Sequence, residues 1–150
     1  MAKLIATVEN LDEVNVQQLP GEGEWSAIET LAHVAELVPF WAQRAGQIAD
    51  GTLGDRPYER SCEESTQRTA AIAEHGRDSL AAMVRRLQSS ATDATAILRQ
   101  IPDQGWGKTA HYEPGSESLT VSEIVTQRIV RHVQAHTRQA AQAARGDQSV

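Results

Sequence analysis

Apolar residues along this chain recur mostly at intervals of three and four, the period of helices with one face turned inward. Alanine is abundant, β-branched runs are short, and no apolar–polar alternation bounded by turn residues persists, so the pattern predicts an all-α fold. Four helical segments can be marked. The first runs from about Lys3 to Gln18, with Leu4, Val8 and Leu11 on one stripe, and stops at Pro20-Gly21. The second begins at Ser26, where S-A-I-E offers a capping box between Ser26 and Glu29, and continues to about Asp50 before Gly51. On it Glu29, Glu36, Gln43 and Gln47 share a narrow polar face, while Ile28, Leu31, Ala35, Leu37, Val38 and Trp41 cover most of the rest. Such a helix is largely buried. Pro39 in its middle cannot donate to the carbonyl of Ala35, so a kink or a loosened turn is expected there.

A third helix starts at Ser61 with another box, S-C-E-E, carries Ile72, Leu80, Met83, Val84 and Leu87 on one side, and runs, straight or bent, to about Gln100. Residues 101–118 then read as a long polar loop rich in Pro and Gly. The fourth helix opens at Thr120 with T-V-S-E, Leu119 stapling onto Ile124, and frays near Gly146, leaving DQSV as a disordered tail. Four helices joined by short or medium links make an up-down four-helix bundle the natural architecture, and the 150 residues suit a single domain.

Composition narrows the function classes. A formal charge of -6 with scattered basic residues argues against a nucleic-acid partner. The single Cys62 excludes an internal disulfide and a CxxC motif, so the expected location is the cytoplasm. No stretch resembles a signal peptide or a membrane span. There is no HExxH, P-loop or GxSxG, and no ExxH pair of the carboxylate-rich di-iron bundles.

One stretch carries chemistry. In R-H-V-Q-A-H-T-R-Q the two histidines His132 and His136 are four apart, and on the wheel both fall in the apolar arc of Val121, Ile124, Val125, Ile129 and Val133. Arg131 and Arg138 point outward, whereas Arg128 and Gln139 share the inward arc. Two buried imidazoles need partners, which a hydrogen-bond network, an anion or a metal could supply. Histidines at i and i+4 present two nitrogens to one point, as zinc helices do. A third ligand would have to come from a facing helix, where His33 is the candidate. His75 and His111 read as solvated, Cys62 as incidental, and Trp25, Trp41 and Trp106 as packing residues.

The segment W-S-A-I-E-T-L-A-H, followed about a hundred residues later by T-V-S-E-I-V and H-V-Q-A-H-T-R-Q, resembles the DinB/YfiT-like superfamily of metalloenzymes over nearly the whole chain. The resemblance implies a four-helix bundle holding a divalent metal, often zinc or nickel, on His33, His132 and His136. It also implies a homodimer, a small-molecule substrate and, by analogy with characterised relatives, a transferase or isomerase using a low-molecular-weight thiol such as bacillithiol or mycothiol. Three neutral histidines would leave an open coordination position, and Arg128 is placed to hold a carboxylate of the thiol. A metal-dependent hydrolase is an alternative, with Glu36 as the nearest inward carboxylate for a general base. A non-catalytic metal-binding dimeric module is another.

Overall fold

The structure, a computed structural model, describes residues 2–111 and 118–145. Its centre is α2 (Ala27–Asp50), which packs against α3 (Cys62–His75), α4 (Leu80–Arg99) and α6 (His132–Ala143). A short α1 (Ala2–Val8) closes against α4 and α6. The core is continuous, drawing Leu31, Val34, Val38 and Ala45 from α2, Met83 and Leu87 from α4, Val121 and Ile124 from the start of the last helix, and Leu4 and Val8 from α1. The all-α bundle expected from the hydrophobic period is what the chain forms, with one small hairpin added.

The ends of α2 are set as its residues dictate. Ser26 accepts from the Glu29 backbone N–H while the Glu29 carboxylate accepts from the Ser26 N–H, and Gly51 at φ 87° takes the left-handed cap position that an L side chain resists. The helix runs unbroken through Pro39. Its proline withholds a donor from the Ala35 carbonyl, and Ser90 on α4 replaces it, Oγ donating to that oxygen at 2.7 Å. The missing intrahelical bond becomes a tie between the two most extensively packed helices.

Three segments differ from the sequence expectation. The first helix ends at Val8, because Asn10 and Asp12 turn the chain with their own side chains, Asn10 Nδ2 donating to the Ala6 carbonyl and Asp12 Oδ1 accepting from the Val14 N–H. The expected third helix is two. Gly76 breaks it where a Cβ would lie 2.7 Å from the Ile72 carbonyl oxygen and from Glu29 Cγ. Ser79 then caps α4 through the Ala82 N–H, with Glu13 Oε1 accepting from the Leu80 N–H. Finally, the long link holds a 3₁₀ turn (Asp103–Gly105) and an antiparallel hairpin of β1 (Thr109–His111) and β2 (Ser118–Thr120), in which Ala110 faces Leu119. The Tyr58 N–H donates to the His111 carbonyl at 3.0 Å, so this hairpin holds the 51–60 loop in place. The frayed end and the DQSV tail lie outside the described residues.

The last helix starts where its capping box predicts, Thr120 and Glu123 closing it reciprocally. It comprises α5 (Val121–Val125), a π turn (Thr126–Arg131) and α6. A π turn closes on i→i+5 bonds and so carries more residues than an α turn, changing the phase of every side chain beyond it. Among the described residues no helix is long and apolar enough to cross a membrane.

Candidate functional site

The fold brings His33, His132 and His136 together. His33 is 5 % exposed on α2, while the other two are half-buried on α6. The His33 and His136 ring centroids are 4.9 Å apart and mutually perpendicular, and those of His132 and His136 are 5.8 Å apart and stacked. Trp25, just before the α2 cap, lies against the other side of the cluster with its ring 5.2 Å from that of His33. Read from sequence as a packing residue, Trp25 is a wall of the site.

Burial governs the protonation of these rings. Desolvation, followed by the nearby His136, Arg68, Arg60 and His132, pushes His33 down to about 3, so it is neutral at ordinary pH. His136 is lowered too, chiefly by burial and further by His132, against the opposing effect of its hydrogen bond to Gln139. That bond joins His136 Nδ1 and Gln139 Oε1 at 2.8 Å. An amide oxygen only accepts, so Nδ1 carries the proton and Nε2 is left with its lone pair. Gln139 thereby fixes the tautomer and tilt of His136, a task expected of a residue behind a metal ligand. His33 Nδ1 and His132 Nδ1 are both buried without a hydrogen-bond partner. Orphaned polar atoms of this kind are uncommon and call for an occupant.

The donor chemistry therefore fits a divalent ion: three uncharged imidazoles, two of them with buried and unused nitrogens. The 4.9 Å spacing of His33 and His136 fits as well, whereas the 5.8 Å of His132 and His136 is wider. Two imidazoles sharing a tetrahedral zinc at about 2.0–2.1 Å would have centroids roughly 5 Å apart. The orientation is different, because the stacked pair does not aim both rings at one point, and among the described residues no group of three His, Cys, Asp or Glu side chains is arranged to hold an ion.

Beyond the histidines, Arg44, Arg60 and Arg128 are each matched with a carboxylate. Arg60, from the loop before α3, donates through both terminal nitrogens to Glu36, at 2.8 and 3.0 Å, and its guanidinium sits 3.7 Å over the Phe40 ring. Arg44 pairs with Glu64 at 2.5 Å. Arg128, on the π turn, pairs with Glu59 and lies 5.6 Å from the Trp41 ring. Two sequence expectations change here. Glu36 has both oxygens engaged by Arg60 and is not a free base, and Arg128 already holds a carboxylate of this chain. Neither Arg60 nor Glu59 stood out in the sequence; only the alternation of sign in E-R-S-C-E-E, on the approach to α3, hinted at interlocking pairs.

The remaining sequence candidates lie elsewhere. His75 is partly covered, with Nδ1 3.3 Å from Asp78 at the α3–α4 corner, and His111 is exposed on β1 beside Ser118. Cys62 is exposed, and Trp41 belongs to the core. A groove of about 640 Å³ between α1, α4 and the last helix, lined by Leu4, Ala94, Leu98, Ile129 and Val133, contains none of the three histidines.

Residues 2–140 match the sequence profile of the DinB superfamily. Among solved structures the chain is similar to a mycothiol-dependent maleylpyruvate isomerase, with a TM-score of 0.71 at 18 % identity, covering 91 % of this chain and 54 % of that one. A histidine-to-alanine mutant of the same enzyme superposes with a TM-score of 0.71 at 17 % identity over the same shares. At this identity the likeness shows the fold, and the chain spans about half the length of those structures. Comparison with curated proteins returns no match.

Proposed function

This chain belongs to the DinB superfamily, and from that premise we propose that it is a metal-dependent enzyme of small-thiol chemistry, an isomerase or S-transferase acting on a small molecule. The observation that carries the reading is the meeting of His33, His132 and His136 from two helices, with two ring nitrogens buried and unpartnered. His33, His132 and His136 would hold the ion, zinc or nickel, with Gln139 steadying His136. A divalent ion at such a site supplies a Lewis acid that makes a small thiol ionise near neutral pH. The chain's own residues do the rest: burial keeps His33 neutral and ready to donate its lone pair, and Trp25 excludes water from one side. The isomerase-like fold supports the thiol-dependent reading, and a homodimer is the assembly the family resemblance implies.

The hydrolase reading loses ground because Glu36 is tied to Arg60. Metal analysis of tag-free protein supplemented with zinc or nickel tests the site: about one equivalent is expected in the wild type and essentially none in His132→Ala. Less than about a tenth of an equivalent in the wild type would reject the site. With metal bound, a thermal shift specific to bacillithiol-type or mycothiol-type thiols supports the enzyme, whereas metal without any thiol response supports a non-catalytic module.

A further inference from the structure

Near His33, one arginine has no counter-charge among the described residues. Arg44, Arg60 and Arg128 are each matched with Glu64, Glu36 and Glu59. Arg68, on α3, makes no hydrogen bond and no ion pair among the described residues, although it is half-buried. The covered residues of α3 recur as Glu64, Ser65, Arg68, Ala71, Ile72 and His75, the stripe turned toward α2, and Arg68 stands in the middle of it where an apolar residue would be expected.

The packing of α3 on α2 says what Arg68 faces. Glu64 at one end of α3 meets Arg44, and Gly76 just past the other end abuts Glu29, so the two helices run antiparallel. Arg68 therefore lies alongside the middle of α2, at the level of His33 to Phe40, and its charge is felt at the His33 ring. His33 is neutral, Glu36 is already saturated by Arg60, and no carboxylate among the described residues forms an ion pair with Arg68. A guanidinium that no carboxylate among the described residues engages, on a half-covered side chain facing α2, is open to an anion from outside the chain.

We propose that Arg68 is the anchor for a carboxylate carried by a small molecule bound against His33. This rests on the histidine cluster being the active site, and it assigns to Arg68 the task for which Arg128 is unavailable. The carboxylate can come from either of two carriers, an acidic substrate or a thiol cosubstrate with a free acid group. Either would be held by the same two parallel N–H···O bonds.

The quenching of Trp25 fluorescence reports the test, since this ring lies against His33. Metal-supplemented wild type, Arg68→Gln and Arg68→Lys are titrated with malonate and with N-acetylcysteine, each beside its uncharged ester. Binding of an acid but not its ester, weakened at least about tenfold by Arg68→Gln and partly restored by Arg68→Lys, is the expected result. Loss confined to malonate assigns the carboxylate to the substrate, and loss confined to N-acetylcysteine assigns it to the thiol. If wild type binds neither acid, or if Arg68→Gln changes neither affinity beyond about twofold, the proposal is overturned. The metal content of Arg68→Gln keeps the two readings apart, because it stays at the wild-type level when only the anchor is lost.

Discussion

His33 shows how burial alone prepares a residue for a chemical task. A solvated imidazole is partly protonated near neutrality, but this one, 5 % exposed and beside other positive or titrating groups, is pushed down to about 3. The linkage follows directly. Unfolding returns the ring to an ordinary histidine near 6.5, so between that value and about 3 the unfolded chain binds the extra proton. The contribution of His33 to stability is intact above about pH 6.5 and declines as pH falls through that window, by at most about 1.4 kcal/mol per pH unit. His136, also lowered, adds in the same direction. Metal-free protein should therefore show a urea midpoint that drops between pH 7.5 and pH 5, and His33→Gln should flatten that dependence; parallel curves for the two proteins would refute it. At this scale the sequence was informative about His132 and His136, because a wheel places them without knowing their neighbours. It was silent about the Glu36–Arg60 and Arg128–Glu59 pairs, since these depend on how the 51–60 loop folds back, and no periodicity encodes that.

Among the elements, α2 holds the clearest test of cause and effect. Pro39 leaves the Ala35 carbonyl without its helical donor, and Ser90 of α4 supplies the bond at 2.7 Å in a buried setting. Ser90→Ala should cost about 1–3 kcal/mol, because the oxygen would be left buried and unsatisfied. In a Pro39→Ala background the backbone amide gained at that position can take over, so the same Ser90 change should cost less. A double-mutant cycle by urea denaturation measures this, and additive effects would mean the two residues are not coupled through Ala35. The kink or loosened turn anticipated at Pro39 came from one helix in isolation; the donor that reaches the Ala35 carbonyl belongs to another helix and could not be seen there. The three capping boxes were legible, whereas the Ser79 cap of α4 was not; Ser26–Glu29, Ser61–Glu64 and Thr120–Glu123 all close reciprocally. These are contacts three residues apart, which is why local sequence sufficed. The break at Gly76 was not, because what forbids a side chain there is partly Glu29, far away in the chain.

For the molecule as a whole, stability is unevenly distributed around the site. Most of α2 is buried and it touches every other long helix, while α3 buries only Ile72. Amide hydrogen exchange should show α2 opening only with global unfolding and α3 exchanging earlier through local opening. Equal protection of the two helices would contradict this picture. His33, on α2, is thus set in the rigid part, and Arg68 is on the wall most able to move. The all-α bundle and the inward turn of His132 and His136 were legible from hydrophobic period, since one helix face must turn toward the core; the period only permitted His33 to join them, and the family resemblance brought it in. The phase of the last helix was less so, because a wheel assumes 3.6 residues per turn throughout, and Thr126–Arg131 departs from it. That departure bears on how relatives are compared. A chain of this family that closed the same stretch with ordinary α turns would need one residue fewer between Val125 and His132 to present the same face to His33. When such a sequence is aligned on its capping residues at one end and its histidine pair at the other, a single-position gap should open inside the helix. Forcing the two into ungapped register would set the histidines of one against the neighbouring residues of the other and make a shared site look lost.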